Sequence, residues 1–307
     1  MGRSTAVVFP GQGSQFVGMA DPWLSHRIGR AALKEASEAF GRDLAVGCRD
    51  ETLLATTEFL QPALLACEVA AFRVLQAEGS EDWAGAAGHS VGEFAALVAT
   101  GVCSLRDAIG IVAVRGGAMQ RASHERPGTM TALLGIGAEE AAAVCDEARH
   151  DDVLVVANEN SSQQVVISGS VSAIERAEDL CTSRKIRTVR LQVAGAFHSP
   201  LMASAVAPLS EAIGAIEFRP PKMPVASNVT GELTSDPEDL RSLVTRQVVS
   251  PVRWGQCVRS LSAAGVDTFV EAGPGEVLTR LAKRIVPGAT AFALGSPEAV
   301  AARSGVV

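Results

Sequence analysis

The chain has 307 residues, 47% of them hydrophobic and 20% charged, with 29 Gly, 14 Pro and no Tyr. That composition excludes disordered, collagen-like and disulfide-scaffold proteins, and the length suffices to bury a large core in one large domain or two smaller ones. Lys plus Arg at 27 against Asp plus Glu at 34 gives a net charge of -7, the wrong sign for a protein whose main partner is bulk nucleic acid.

The first apolar run, Ala6 to Phe9, reads as a short strand ending in the turn-rich Pro10-Gly11-Gln12-Gly13-Ser14, a loop that presents backbone amides. Helical periodicity follows over 27–40 and 60–78. In the second stretch Leu64, Leu65, Glu68, Val69, Phe72, Val74 and Leu75 form a mainly apolar face, and Gln61-Pro62 marks its start. Ala84 to Gly101 reads as a strand, a sharp turn at Gly88–Gly92 and an apolar helix.

From residue 129 the pattern changes. Thr129–Gly137 is strand-like, Ala138–His150 helical, Val153–Ala157 and Gln164–Ser168 are strands joined by a polar loop, Val171–Lys185 is helical and Ile186–Val193 a strand. The order β-α-β-β-α-β is ferredoxin-like, and about 65 residues suit it. The expected fold is α/β: a large discontinuous domain over 1–128 and 197–295, a ferredoxin-like subdomain over 129–196, and a tail over 296–307. Met223–Ser227 and Thr268–Glu271 supply further strands of the large domain and Glu276–Val286 a helix, whereas Gly295 to Val307 carries little pattern.

The six cysteines are dispersed, with no Cys-x-x-Cys pair and no nearby His at metal-ligand spacing. They read as buried small hydrophobes in a reducing compartment, and no metal site is expected. No apolar run approaches the ~18–20 residues of a membrane span, and no basic and apolar leader opens the chain. The start resembles an acylation signal, but Ala6 stands where Ser or Thr is required. A cytoplasmic protein is expected. Gly11-x-Gly13 lacks the third glycine of a dinucleotide loop, so no nucleotide cofactor is expected either.

Gly88-His89-Ser90-Val91-Gly92 matches G-x-S-x-G, a strained strand-to-helix turn that lifts a serine hydroxyl to a helix N-terminus, where the amide of Val91 and the helix dipole can stabilise an oxyanion. A plain Ser-Gly turn is the alternative. A serine needs a base. Of five histidines, His26, His124 and His150 lie in polar or acidic stretches and His89 is locked beside the serine, leaving His198 as a candidate by elimination. The acids between Ser90 and His198, among them Asp146, Asp151, Asp152 and Asp179, fall on what read as solvated faces. A Ser–His dyad oriented by a backbone or amide oxygen therefore fits better than a triad.

Phe9-Pro-Gly-Gln-Gly-Ser-Gln15, Gln61-Pro-Ala, Gly88-His-Ser-Val-Gly-Glu93, Arg115-Gly, Gly195-Ala-Phe-His-Ser199, Gln247 with Pro251-Val-x-Trp254, and Glu271-x-Gly-Pro-Gly275 stand in the order and spacing of malonyl-CoA:acyl carrier protein transacylases. The chain resembles that family over about residues 5–295. The resemblance implies an α/β-hydrolase-like domain carrying the ferredoxin-like insert. It implies Ser90 as acyl-accepting nucleophile, His198 as base, and the N–H groups of Gln12 and Val91 as oxyanion hole. Arg115 would hold the free carboxylate of the acyl group, and Gln247 would line the site and position His198 through its backbone carbonyl. Asn160, in the hairpin loop of the insert, would touch the acyl or pantetheine portion. The implied reaction is ping-pong transfer from malonyl-CoA to the thiol of an acyl carrier protein, in fatty-acid or polyketide biosynthesis, with CoA as substrate and no cofactor.

Physical chemistry supports the arginine independently. A dicarboxylic acyl chain ends in a planar anion that a guanidinium meets with two prongs, although a helix-surface arginine is the alternative. In related polyketide acyltransferases Val after the nucleophile and Phe before the histidine accompany malonyl selection, and Val91 and Phe197 match; a core aromatic is the other reading of Phe197. Carrier proteins are acidic, so Arg184, Lys185, Arg187, Arg190, Arg280, Lys283 and Arg284 are candidates for a docking patch. Three rivals remain open: transfer of another extender unit such as methylmalonyl, a serine thioesterase or hydrolase, and an idle carrier-binding module.

Overall fold

The computed structural model describes residues 4–79 and 82–304. Met1–Arg3, where the acylation signal would lie, and residues 305–307 of the expected tail are outside the described residues. Among the described residues there are ten strands: β1 (Thr5–Phe9), β2 (Trp83–Gly88), β3 (Gly128–Leu134), β4 (Leu154–Ser161), β5 (Gln164–Ser170), β6 (Arg187–Arg190), β7 (Val225–Ala226), β8 (Leu233–Thr234), β9 (Thr268–Ala272) and β10 (Thr290–Leu294).

Six of them form one sheet in the order β10-β9-β1-β2-β7-β8, parallel except for the β7–β8 pair. β1 is buried along its whole length, with Val7 and Phe9 in one core cluster and Ala6 and Val8 in another. Both sheet faces are therefore covered, which is why β1 reads as an unbroken apolar run rather than an alternating one. The larger cluster is closed by the helices Thr57–Glu78 and Leu105–Glu125. Their approach is so close at Gly116 that a Cβ there would stand 2.8 Å from the carbonyl of Thr57. β1 and β2 end level, Phe9 opposite Gly88, so the loop after β1 and the turn after β2 lie side by side.

β3 to β6 form a separate antiparallel sheet in the order β4-β5-β3-β6, covered by the helices Ala138–Ala148 and Val171–Ser183 over a core of their own. Four expectations need correction. The helix expected to start at Gln61-Pro62 begins at Thr57, with Pro62 inside it. Asn160 is in strand β4, not in a hairpin loop; only Ser162 and Gln163 make the turn. The register of β4 shifts at Val156/Asn158 and Glu159/Ser161, and the strand is tied to the main body by Glu159 N–H donating to the Val252 carbonyl at 2.8 Å, so polar residues are held extended. β6 stops at Arg190, and Leu191 to Val193 leave the sheet to line a cavity. The expected tail is a helix over Pro297–Ser304, with Val300 fully buried in the main core. One buried residue over 297–303 leaves no apolar stripe to read.

Candidate active site

The turn after β2 explains its glycines. A Cβ on Gly88 would lie 1.9 Å from the carbonyl carbon of Gly92, and one on Gly92 would lie 2.4 Å from the carbonyl oxygens of Phe9 and Pro10. Ser90 itself takes φ 54°, a left-handed backbone that only an over-determined turn holds in a non-glycine residue. Asn228 supplies the determination: its Oδ1 accepts from Ser90 N–H at 2.7 Å and its Nδ2 donates to the Gly88 carbonyl at 2.7 Å. The hydroxyl is thereby fixed at the start of the helix Gly92–Thr100.

His198 is brought to it across 108 residues of chain, with Nε2 at 2.8 Å from Ser90 Oγ. It also has a left-handed backbone, φ 56°, in the loop before the Pro200–Ala205 turn. Its Nδ1 lies 3.0 Å from the Gln247 carbonyl and 3.2 Å from that of Ser250. Carbonyls only accept, so the ring proton sits on Nδ1 and the Nε2 lone pair faces the serine hydroxyl. Burial, followed by the nearby Arg115 cation, lowers the imidazole from 6.5 to about 3, so the ring is neutral at pH 7. No carboxylate touches it among the described residues.

Arg115, 1% exposed, reaches in from the middle of the Leu105–Glu125 helix. Its Nη1 donates to Gln61 Oε1 at 2.7 Å, and its Nη2 to Gln247 Oε1 at 2.8 Å and to Ser90 Oγ at 3.2 Å. Burial lowers it to about 10, with Glu93 pulling back the other way, so it keeps its charge at neutral pH. The Gln247 amide nitrogen donates to the Ser90 carbonyl at 3.0 Å and to Glu93. Gln61, Glu93, Asn228 and Ser250 belong to this site and the sequence reading assigned none of them a part. Gln61 and Glu93 stand inside quoted motifs, which was the available signal; Asn228 and Ser250 had none.

The N–H groups of Gln12, in the loop after β1, and of Val91, the residue after Ser90 in the elbow, donate no hydrogen bond to any described residue. Gln12 and His89 line a cavity of about 500 Å³ between the two sheets, walled by Asn158, Asn160, Val193 and Leu281. Asn160 Oδ1 lies 2.9 Å from His89 Nε2, so its recorded partner is the histidine beside Ser90. Phe197 is buried in the main core. Three of the seven basic candidates are in ion pairs, Arg184 with Glu147, Arg190 with Glu178 and Arg280 with Glu276, while Lys185, Arg187, Lys283 and Arg284 are exposed. All six cysteines are free and buried. Among the described residues no group of three His, Cys, Asp or Glu could hold a metal ion, and no helix is long and apolar enough to cross a membrane.

A serine hydrogen-bonded to a neutral histidine, raised on a strand-to-helix elbow beside a buried arginine, places the chain among α/β proteins with a serine–histidine site. The chain belongs to the acyl transferase domain family, which matches residues 6–296. It is 42% identical over 303 residues to the malonyl CoA-acyl carrier protein transacylase of Escherichia coli strain K12, covering 97% of each chain. The Bacillus subtilis strain 168 protein of the same name is 36% identical, with 96% of this chain and 94% of that one covered. The crystal structure of malonyl-CoA:acyl carrier protein transacylase from Xanthomonas oryzae superposes with a TM-score of 0.95 at 39% identity, covering 99% and 98% of the two chains. A malonyl-transacylase solved in complex with its type II polyketide acyl-carrier protein gives 0.94 at 37%, covering 99% and 100%.

Proposed function

We propose that this chain moves a malonyl group from malonyl-CoA to the phosphopantetheine thiol of an acyl carrier protein through an ester on Ser90. The observation that carries the reading is the 3.2 Å between Arg115 Nη2 and Ser90 Oγ: an acyl ester formed there and ending in a carboxylate meets a buried guanidinium. An acetyl group would leave that charge unpaired, at a cost of about 2–5 kcal/mol.

His198 takes the Ser90 proton on Nε2 as Oγ attacks the thioester carbonyl. The oxyanion is received by the N–H groups of Gln12 and Val91, and the carbonyls of Gln247 and Ser250 stabilise the imidazolium. CoA leaves with the proton from His198. In the second half the carrier thiol gives its proton to His198 and attacks the ester, and Ser90 departs with that proton. CoA is a substrate in this scheme and no cofactor is needed. Phe197, buried beside His198, would crowd an α-methyl group and so favour malonyl over methylmalonyl. Arg115, with carbonyls rather than a carboxylate behind His198, argues against a thioesterase or hydrolase.

The strand order β4-β5-β3-β6 supports a ferredoxin-like subdomain over 129–196, and the parallel sheet with its elbow supports a hydrolase-like domain before and after it. Of the seven basic candidates, Lys185, Arg187, Lys283 and Arg284 are exposed and in no ion pair among the described residues, which leaves them for an acidic carrier. The protein acts in the cytoplasm. The test is to supply malonyl-, methylmalonyl- or acetyl-CoA together with a holo acyl carrier protein and weigh the carrier. A malonyl-loaded carrier, with little of the other two, is expected; an unloaded carrier with free malonate would restore the hydrolase reading.

A further inference from the structure

Glu93 is fully buried on the first turn of the helix behind Ser90, and no step above uses it. One carboxylate oxygen accepts from the Asn228 backbone N–H at 3.2 Å, the other from the Gln247 side-chain amide at 2.5 Å. The same Gln247 nitrogen donates to the Ser90 carbonyl, which leaves Gln247 Oε1 to accept from Arg115 Nη2 at 2.8 Å. An amide has one donor end and one acceptor end. Turned over, Gln247 would set its NH2 against the guanidinium and its oxygen against both the Glu93 carboxylate and the Ser90 carbonyl.

We propose that Glu93 is a positioning residue for acyl-group selection: its carboxylate holds the Gln247 amide with the oxygen toward Arg115, and so aims the guanidinium at the free carboxylate of the acyl group on Ser90. The inference rests on the reading of Arg115 as the carboxylate clamp. A packing role would need only the volume of Glu93, whereas the positioning role needs two acceptor oxygens. Gln at 93 keeps the volume but cannot accept from both Asn228 N–H and Gln247 Nε2. Either a donor then faces a donor, or Gln247 turns over against Arg115. Asp keeps both acceptors and gives up a methylene.

The test measures the rate constant of Ser90 acylation at saturating malonyl-CoA and acetyl-CoA for the wild type, Glu93→Gln, Glu93→Asp, Gln247→Met and Arg115→Ala, with thermal unfolding alongside. Glu93→Gln lowers the malonyl constant about tenfold or more, the worth of one misdirected hydrogen bond to a charged group, and moves the acetyl constant less than about threefold. Glu93→Asp stays nearer the wild type than Glu93→Gln does, the reverse of the order that volume would give. Gln247→Met, which keeps the backbone carbonyl behind His198, reproduces the loss of malonyl preference. Removing the Glu93 charge alone would draw in the anionic donor and lower KM without lowering kcat, so a change confined to KM overturns the proposal. So does a wild-type malonyl-to-acetyl ratio in Glu93→Gln when Arg115→Ala loses it. The same ratio in Gln247→Met is decisive even if Glu93→Gln does not fold. An unchanged ratio in Arg115→Ala overturns the clamp reading, and this inference with it.

Discussion

Replacing His198 with Gln changes how stability responds to acid, and the size follows from the site. An exposed imidazole titrates at 6.5, whereas in the fold burial and Arg115 hold His198 at about 3. The folded-state value is depressed, so the stability linked to this group is fully present above 6.5 and is lost as the pH falls toward 3, because the unfolded chain takes up a proton the folded chain refuses. Between about pH 7.5 and 4.5 that difference amounts to nearly two pH units of proton binding, or about 2.5 kcal/mol at about 1.4 kcal/mol per unit. Glu93 works in the opposite sense: burial raises it from 4.5 to about 7, so its contribution is present below 4.5 and is lost as the pH rises to about 7. Across 4.5 to 6.5 the two slopes nearly cancel in the wild type, and only a comparison of variants separates them. Urea unfolding of the wild type and of His198→Gln at a series of pH values is the assay. The wild type is expected to lose about 2.5 kcal/mol relative to the variant over that range. Parallel curves would refute a neutral, buried His198.

Three further outcomes are expected. Arg115→Lys, whose single nitrogen cannot hold Gln61, Gln247 and a substrate carboxylate together, lowers kcat/KM for malonyl loading by about 10- to 150-fold, the worth of one charge-assisted hydrogen bond, while acetyl loading barely moves; an equal fall for both donors would make the arginine structural. Asn228→Ala frees both sides of the elbow, and slower Ser90 acylation with a melting temperature reduced by several degrees, as about 2 kcal/mol implies, checks it by calorimetry. Gly92→Ala forces a Cβ to 2.4 Å from two backbone carbonyls and leaves little folded, soluble protein, as circular dichroism would report.

The sequence disclosed what is local. The elbow was legible because its demand for small residues at Gly88 and Gly92 is met within five positions, and β1 and β2 because buried parallel strands make unbroken apolar or small-residue runs. Arg115 was visible only through a motif, since the Leu105–Glu125 helix is buried on several sides and shows no single apolar stripe to set the arginine against. Contacts that join distant segments left no local trace. The Gln247 carbonyl, which reaches His198 across 49 residues, came only with the family resemblance, and Asn228, which reaches Ser90 across 138, came with nothing. Asn160 misled for a physical reason: Asn and Ser favour turns, but here the second tie to Val252 keeps them in a strand.

Every step of the transfer passes through a malonyl ester on Ser90. Brief incubation with malonyl-CoA, acid quench, intact-mass measurement and peptide mapping would detect that ester, with Ser90→Ala alongside. One malonyl-sized adduct is expected, mapped to the peptide carrying Ser90, absent from Ser90→Ala and discharged by a holo acyl carrier protein. An adduct that persists in Ser90→Ala, or transfer to the carrier with no adduct on the wild-type enzyme, would contradict that route.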